Sequence, residues 1–185
     1  PVREYHFDSG QGMDNREEIS LKERDFIILE GIHGLNPKLT TNLANGKLQK
    51  IYVSAITQLN IDGDHRVSTS GNRLLRRLVR DQKFRGYSPE ETLTRWESVR
   101  LGEERNIFPY QEEADFMFNS ALIYELPVLQ QAARDILSGV KEGSPVKTLA
   151  DYLSTFLSFF RPLPEDFVPG ISILREFIGG SDFHY

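Results

Sequence analysis

The chain has 185 residues, of which 39% are hydrophobic and 26% are charged, and its net charge is −5 at pH 7. This composition is typical of one globular domain with a hydrophobic core, and the lack of cysteine excludes disulfides and thiolate metal sites. No apolar run approaches the roughly 20 residues of a membrane span, and a general nucleic-acid binder is usually basic. We therefore expect a cytoplasmic protein with no membrane contact, and the net acidity disfavours nucleic acid as a partner.

The first third of the chain carries two strand signals. Residues 1–24 are polar, which predicts a loop with a short helix near residues 14–21. The apolar run at residues 25–29 is followed by glycine within two positions, and it predicts a buried strand. Asn36-Pro37 predicts a turn or the start of a helix. Residues 51–54 predict a second strand, because β-branched and aromatic side chains favour it.

A basic stretch follows, with six Lys or Arg side chains within residues 73–85. Helical spacing places its apolar and basic side chains on opposite arcs of one helix. The apolar arc comprises Leu74, Leu75, Leu78 and Val79, and the basic arc comprises Arg73, Arg76, Arg77 and Arg80. A solvated surface is the ordinary interpretation of such a charge run. A phosphate site is the alternative, because arginine binds phosphate oxygens through two bonds and keeps its charge.

The remainder of the chain is mostly helical in pattern. Ser88, Pro89 and Glu91 have the spacing of a capped helix start with a capping box. The other predicted elements are a strand at residues 116–118, a helix at about 124–137, a helix that begins at Ser144-Pro145, and a last short helix that Gly179-Gly180 ends. Because strands alternate with helices, we expect an α/β domain with a mostly parallel sheet.

Four short segments carry a family resemblance. In chain order they are PVREYHF, ILEGIHGL, NRLLRRLVRDQKFRGYS and PYQEEADFMF. They resemble the Pro-x-Tyr-Asp-Phe stretch, the strand-ending Glu-Gly-Ile, the arginine lid and the late Pro…Ala-Asp strand of the uridine kinase and phosphoribulokinase family. The order and spacing agree from about residue 1 to residue 118. The longer sequence around these segments looks most like a bacterial uridine-kinase-related subgroup.

The resemblance implies both a fold and an activity. The implied fold is part of a P-loop kinase-like parallel sheet with flanking helices at residues 1–122, with a helical extension at residues 123–185 that packs on it. The implied activity is ATP- and Mg²⁺-dependent transfer of a phosphoryl group to a hydroxyl of a nucleoside or similar small acceptor. Such chemistry consists mainly of positioning and charge neutralisation.

The resemblance also assigns roles to individual residues. Arg77, Arg80 and Arg85 match the lid arginines, which would neutralise the nucleotide phosphates. Glu30 matches a catalytic carboxylate at the end of a sheet strand, near Mg²⁺ or its waters, where strand ends face the ligand crevice. A helix-capping or salt-bridging acid is the alternative role for Glu30. No residue is assigned as a direct metal ligand.

The acceptor side of the motif departs from the family pattern. Tyr5 and His6 would lie near the acceptor base, although an ordinary loop aromatic and a surface histidine would fit the sequence equally well. His6 stands where the family has Asp, so the role of that acid does not transfer. In the lid, Tyr87 stands where the family has the last Arg of Arg-Gly-Arg, so one phosphate contact is lost or replaced.

The phosphate loop G-x-x-x-x-G-K-[ST] does not occur in these 185 residues. The one Gly-Lys pair, Gly46-Lys47, is followed by Leu48, and Thr41 stands where the first glycine belongs. In the family this loop lies upstream of the Pro-x-Tyr stretch. We therefore expect the chain to be a C-terminal kinase portion that works with an upstream part of the same polypeptide and is inactive alone.

Two other functions remain open at the level of sequence. The chain could be a non-catalytic interaction module that keeps the kinase-like fold without a phosphate loop. Binding of RNA or DNA by the arginine helix, with Phe84 and Tyr87 as stacking surfaces, is disfavoured by the net acidity. The sequence does not decide whether residues 123–185 dimerise, pack on the upstream part or bind another partner.

Overall fold

The computed structural model divides the chain into two compact units, residues 1–34 and residues 35–185. The ranges that it describes are 3–6, 11–14, 20–41 and 48–184, the first two through their backbone alone. Each unit has a two-stranded sheet, and the described helices all lie in the second unit. The boundary predicted between residues 122 and 123 stays a prediction.

The first unit contains an antiparallel strand pair, β1 (Arg3–His6) and β2 (Gln11–Asp14). The loop predicted over residues 1–24 is therefore wrong in these two ranges, which lack the apolar alternation by which a strand is recognised. The short helix predicted near residues 14–21 is wrong at both ends, because β2 includes Asp14 and residues 20–21 are irregular. Its middle, residues 15–19, lies outside the described residues.

The buried strand predicted at residues 25–29 is also wrong. These residues are irregular, and the side chains of Phe26 and Ile28 are 95% and 90% exposed. A strand needs a neighbour to satisfy its backbone N–H and C=O groups. In the part of the chain that the structure describes, no strand pairs with this segment.

The second unit contains a parallel sheet of two strands, β3 (Ile51–Ser54) and β4 (Phe116–Asn119). Both strands were predicted from sequence, and the α/β class is confirmed. The side chain of Asn119 extends the pairing past β3, because it hydrogen-bonds both the N–H and the C=O of Ile56 at 2.9 Å. The carboxyl ends of the two strands therefore lie side by side.

One face of this sheet is apolar and open. Ile51 pairs with Phe116 and Val53 pairs with Phe118, and each of these four side chains is more than half exposed. Directly paired residues project to the same side of a sheet. The four side chains therefore form a continuous apolar surface.

The helices agree closely with the sequence patterns. They are α1 (Pro37–Thr40), α2 (Thr69–Phe84), α3 (Pro89–Asn106), α4 (Glu125–Ser138), α5 (Lys147–Leu157) and α6 (Arg175–Ile178). Short 3-10 helices occupy Phe108–Glu113 and Glu165–Phe167. Helix α5 begins three residues after Ser144, because the Ser-Pro pair lies in a turn. Gly179 ends α6 with φ of 84°, a conformation that favours glycine.

The capping box predicted at the start of α3 is confirmed. Ser88 Oγ accepts from the N–H of Glu91 at 3.2 Å, and the Glu91 carboxylate accepts from the N–H of Ser88 at 2.8 Å. The Ser88 N–H, more than any other contact, holds the pKa of Glu91 below its ordinary value. The predicted start of α1 is likewise confirmed, since the Asn36 side chain accepts from the N–H of Lys38 at 3.0 Å.

The core lies where α2 packs against α4 and α6, and where α4 packs against α5. Its most deeply buried side chains include Leu74, Leu75, Leu78, Leu126, Leu129, Leu153, Leu157, Leu174 and Ile178. The predicted apolar arc of α2 is therefore a central part of the core. Within the described residues, each helix is too short or too polar to cross a membrane.

Candidate functional site

The arginine helix α2 is fixed at its start and along its apolar arc. Ser68 Oγ accepts from the N–H of Gly71 at 3.2 Å, which caps the helix. Leu74, Leu75 and Leu78 are at most 2% exposed, and burial of each such side chain contributes about 1.5–3 kcal/mol. The basic side chains therefore project from a firmly packed helix.

The three predicted phosphate-binding arginines converge on the carboxylate of Asp81. Arg77 Nε donates to Asp81 Oδ2 at 3.1 Å, and an Arg85 terminal nitrogen donates to Oδ1 at 3.2 Å. Arg80 Nε lies 3.8 Å from Oδ1. Arg77 and Arg85 stand four residues before and after Asp81, so helical geometry brings both to its side chain. We call these four residues the Asp81 cluster.

The cluster presents positive charge to solvent. The side chains of Arg77, Arg80 and Arg85 are 23%, 25% and 47% exposed, whereas that of Asp81 is 1% exposed. Three guanidinium charges against one carboxylate leave the cluster at +2. The buried carboxylate thus orients Arg77 and Arg85 while their outer N–H groups stay available to an anion.

The turn after α2 is built around the same aspartate. The Asp81 carbonyl accepts from the N–H groups of Arg85 at 3.1 Å and Tyr87 at 3.3 Å. Gly86 between them has φ of 65°, which glycine adopts without strain. Thr92 of α3 donates its hydroxyl to Asp81 Oδ2 at 3.3 Å. Arg85 therefore stands on a turn that is tied to both neighbouring helices.

Tyr87 contacts an arginine that the sequence motifs do not include. The guanidinium carbon of Arg95 lies 4.6 Å from the centroid of the Tyr87 ring, which is a cation–π contact. Arg95 is exposed on α3, and Tyr87 is partly buried. Tyr87, at the last position of the predicted lid motif, is thus itself in contact with an arginine.

Other arginines of α2 pair with acids on later helices. Arg76 Nε donates to Glu125 Oε2 at 2.7 Å, and its terminal nitrogen donates to the Ser120 carbonyl at 2.9 Å. Arg73 pairs with Glu103 of α3. The interpretation of the basic arc as a solvated face is wrong at Arg76, which is 6% exposed because Glu125 draws it into the interior.

Helix α6 also touches the basic arc. An Arg80 terminal nitrogen donates to Glu176 Oε1 at 3.4 Å. The Phe177 ring lies under two guanidinium groups. Its centroid is 5.1 Å from the guanidinium carbon of Arg76 and 6.0 Å from that of Arg80. Arg80 is therefore shared between the Asp81 cluster and the C-terminal helix.

A cleft of about 370 Å³ lies beside Arg80, at the carboxyl end of β3. Its walls include Tyr52, Ser54, Arg73, Arg76, Arg80, Glu103, Phe108, Glu176 and Phe177. Each arginine in these walls has a carboxylate partner. The cleft is therefore close to neutral, unlike the outer side of the Asp81 cluster.

The other predicted site residues lie in the first unit. Glu30 is exposed in the irregular segment that follows residues 25–29. Tyr5 and His6 end strand β1, where the structure describes the backbone alone. The structure thus brings together Arg77, Arg80 and Arg85, while the catalytic role of Glu30 and the acceptor-binding role of Tyr5 and His6 stay predictions.

Sequence reasoning missed three members of this site, Asp81, Thr92 and Arg95. Asp81 carries a readable signal, because an acid four residues from arginines on both sides lies on the same helix face as both. Thr92 and Arg95 carry none, since their positions depend on how α3 packs on α2. Of these contacts, only the pairing of Asp81 with Arg77 and Arg85 could have been predicted from sequence spacing.

The arginines fit one of the two implied cofactors. Their charge and planar N–H donors suit the phosphates of ATP. Magnesium needs several oxygen ligands, and in the described ranges no three His, Asp or Glu side chains lie close enough together to hold a metal ion. The phosphate-binding role of the arginines stays a prediction, and the described residues include no such group of side chains for Mg²⁺.

Comparison with known proteins identifies the family. The model of the phosphoribulokinase / uridine kinase family matches residues 1–125. The chain belongs to this family, and its α/β unit is part of a P-loop kinase-like fold. The family match includes the Asp81 cluster and Arg95, and it ends where α4 begins.

Two curated relatives give the same result. Both are called uridine kinase and come from two strains of Staphylococcus epidermidis, and each is 30% identical to this chain over 118 residues. The matched region is 63% of this chain and 49% of each relative, so the chain spans about half the length of the curated relatives it matches. No solved structure matches the chain significantly.

Proposed function

We propose that this chain supplies the phosphate-binding arginines of an ATP-dependent phosphotransferase that acts on a hydroxyl of a nucleoside or similar small acceptor. The convergence of Arg77, Arg80 and Arg85 on Asp81 is the observation that carries this proposal. Family membership supports the reaction class. The name uridine kinase, borne by both curated relatives, supports a nucleoside acceptor.

The Asp81 cluster suits the electrostatic demand of phosphoryl transfer. Negative charge is spread over the phosphate oxygens in the transition state, and catalysis consists mainly of positioning and neutralising that charge. Arginines that are already oriented lose little side-chain entropy when the anion arrives. Each charge-assisted hydrogen bond to phosphate contributes about 1.5–3 kcal/mol.

The remaining parts of the proposed reaction come from the family resemblance. ATP would supply the phosphoryl group, and Mg²⁺ would neutralise its phosphates. Glu30 would stand near the metal or its waters, and Tyr5 and His6 near the acceptor base. An upstream part of the same polypeptide would supply the phosphate loop, whose motif does not occur among these 185 residues.

The test is phosphoryl transfer by the polypeptide that the whole coding sequence specifies. We expect Mg-ATP-dependent phosphorylation of uridine or of another nucleoside. Replacing Arg77, Arg80 or Arg85 with alanine should raise the KM for ATP or lower kcat, with a loss of about 1–3 kcal/mol in transition-state stabilisation for each. Arg134→Ala is the matched control, because Arg134 is an exposed arginine on α4.

The same experiment separates the proposal from its alternative. A folded polypeptide that phosphorylates no nucleoside or small alcohol would support a non-catalytic interaction module. Activity that is equally reduced in the Arg134→Ala variant would show that general positive charge, rather than the Asp81 cluster, is what matters.

A further inference from the structure

The contact between Arg95 and Tyr87 places a guanidinium group with free donors beside the turn that follows α2. Arg95 is exposed, and in the described part of the chain it forms no ion pair within 4.0 Å. A cation–π contact uses the face of the guanidinium plane, and it leaves the N–H donors at the edge of that plane. Arg95 is therefore held in place without its hydrogen-bond donors being consumed.

The neighbours of Arg95 tie it to the Asp81 cluster. Thr92, which donates to Asp81 at 3.3 Å, stands three residues before Arg95, and residues three apart share one face of a helix. The N–H of Tyr87, the residue under the guanidinium, donates to the Asp81 carbonyl at 3.3 Å. Arg95 thus lies one helical turn from Thr92, which hydrogen-bonds the carboxylate that Arg77 and Arg85 contact.

The acid one helical turn before Arg95 does not neutralise it by direct contact. Glu91 stands four residues before it, but the Glu91 carboxylate accepts from the N–H of Ser88 at 2.8 Å and from its hydroxyl at 3.0 Å. By contrast, Arg77 and Arg85 each give one donor to Asp81. Arg95, whose charge interacts with the Glu91 carboxylate only through space, therefore adds positive charge to a cluster whose own charge is partly offset.

We propose that Arg95, held against the ring of Tyr87, is a fourth phosphate-binding arginine of this site. Its ligand is the polyphosphate chain of a nucleotide, which the Asp81 cluster would bind at the same surface. Position 87 then contributes to phosphate binding indirectly. Tyr87 does not bind phosphate itself, but its ring holds Arg95 of α3 at the phosphate site. This inference rests on the proposed function and adds a residue to its phosphate site.

The test uses the 185-residue chain and tripolyphosphate as probe, with binding followed by calorimetry at low salt. We expect Arg95→Ala to weaken binding by roughly fivefold to tenfold. Arg95→Lys keeps the charge but loses the planar donors, so its affinity for tripolyphosphate should lie between those of the wild type and Arg95→Ala. Tyr87→Phe keeps the ring and should bind as the wild type does, whereas Tyr87→Leu should lose about half of the binding free energy lost in Arg95→Ala.

Circular dichroism of each variant checks that the fold is kept, and Arg134→Ala is the control for general charge. Unchanged binding in Arg95→Ala, an equal loss in Arg134→Ala, or no binding of tripolyphosphate by the wild type would each overturn the inference. If the Arg95 and Tyr87 variants change tripolyphosphate binding as expected but the full polypeptide transfers no phosphoryl group, the phosphate site is supported and the proposed phosphotransferase is refuted. The two failures are therefore distinguishable.

Discussion

Arg76 and Glu125 form a buried ion pair that joins the arginine helix α2 to the start of α4. Their side chains are 7% and 2% exposed, and Arg76 Nε lies 2.7 Å from Glu125 Oε2. Asn72, one turn earlier on α2, also donates to Glu125. A buried carboxylate thus receives donors from two successive turns of the helix that carries the proposed phosphate site.

We expect Glu125→Gln to destabilise the protein markedly. Removal of one partner leaves the Arg76 charge buried without compensation, which costs about 3–5 kcal/mol. Urea denaturation followed by circular dichroism measures the loss. Glu104→Gln breaks the exposed pair with Arg100 and should cost at most about 0.5 kcal/mol, so equal losses in the two variants would contradict the buried role of Glu125.

Asp81→Asn should weaken the fold around the turn after α2. The substitution keeps the shape of the side chain but removes the charge that receives Arg77 and Arg85, and hydrogen bonds to charged groups contribute about 1.5–3 kcal/mol. The free energy of unfolding should fall by a similar amount. Asp135→Asn is a suitable control, because Asp135 is exposed and accepts from Gln131 at 2.9 Å. If Asp81→Asn were as stable as Asp135→Asn, the proposal that Asp81 organises the arginines would be contradicted.

Glu176→Gln should strengthen anion binding. Its carboxylate accepts from Arg80 at 3.4 Å and is about half exposed, so a phosphate that approaches Arg80 must compete with a nearby negative charge. We expect tripolyphosphate to bind roughly twofold to fivefold more tightly, in keeping with the small energies of exposed ion pairs. Glu142→Gln, which breaks an exposed pair with Lys147, should bind as the wild type does. Weaker binding in Glu176→Gln would mean that Glu176 instead positions Arg80 for the anion.

The capping box of α3 predicts a specific pH dependence. The Ser88 N–H lowers the pKa of Glu91 from its ordinary value of 4.5, so the ionised carboxylate stabilises the folded state above pH 4.5. This stabilisation is lost as the pH falls through the lowered pKa. The unfolding temperature of the wild type should therefore exceed that of Glu91→Gln at neutral pH, and the gap should close on acidification.

A second variant on the same helix tests this assignment. Glu97→Gln removes an exposed carboxylate that takes no part in the cap, and its unfolding temperature should stay close to that of the wild type at each pH. A gap for Glu91→Gln that stays constant from neutral to acid pH would show that its cost does not come from the ionised cap.

Local patterns predicted the helical part of this fold well, because its signals lie within single elements. The capping box at Ser88, the apolar arc of α2 and the glycine end of α6 each depend on residues a few positions apart. The strands β3 and β4 were found by composition for the same reason. At residues 25–29 the same reasoning failed, since a strand depends on a neighbour that local sequence does not specify.

The site divides in a similar way. Arg77, Arg80 and Arg85 could be named from a motif, and their convergence follows from helical spacing around Asp81. Arg95 could not be named, because its place over Tyr87 depends on the angle at which α3 leaves the Gly86 turn. Burial of Arg76 was also hidden, because the acid that receives it lies 49 positions later in the chain.

The contact of α6 with the basic arc has a consequence for substitutions near the C-terminus. The family match ends at residue 125, yet Glu176 and Phe177 lie against Arg80, an arginine of the family motif. A substitution in this late segment alters the charge and the aromatic surface next to that arginine. The segment that follows the family match is therefore structurally coupled to the part of the chain that the match covers.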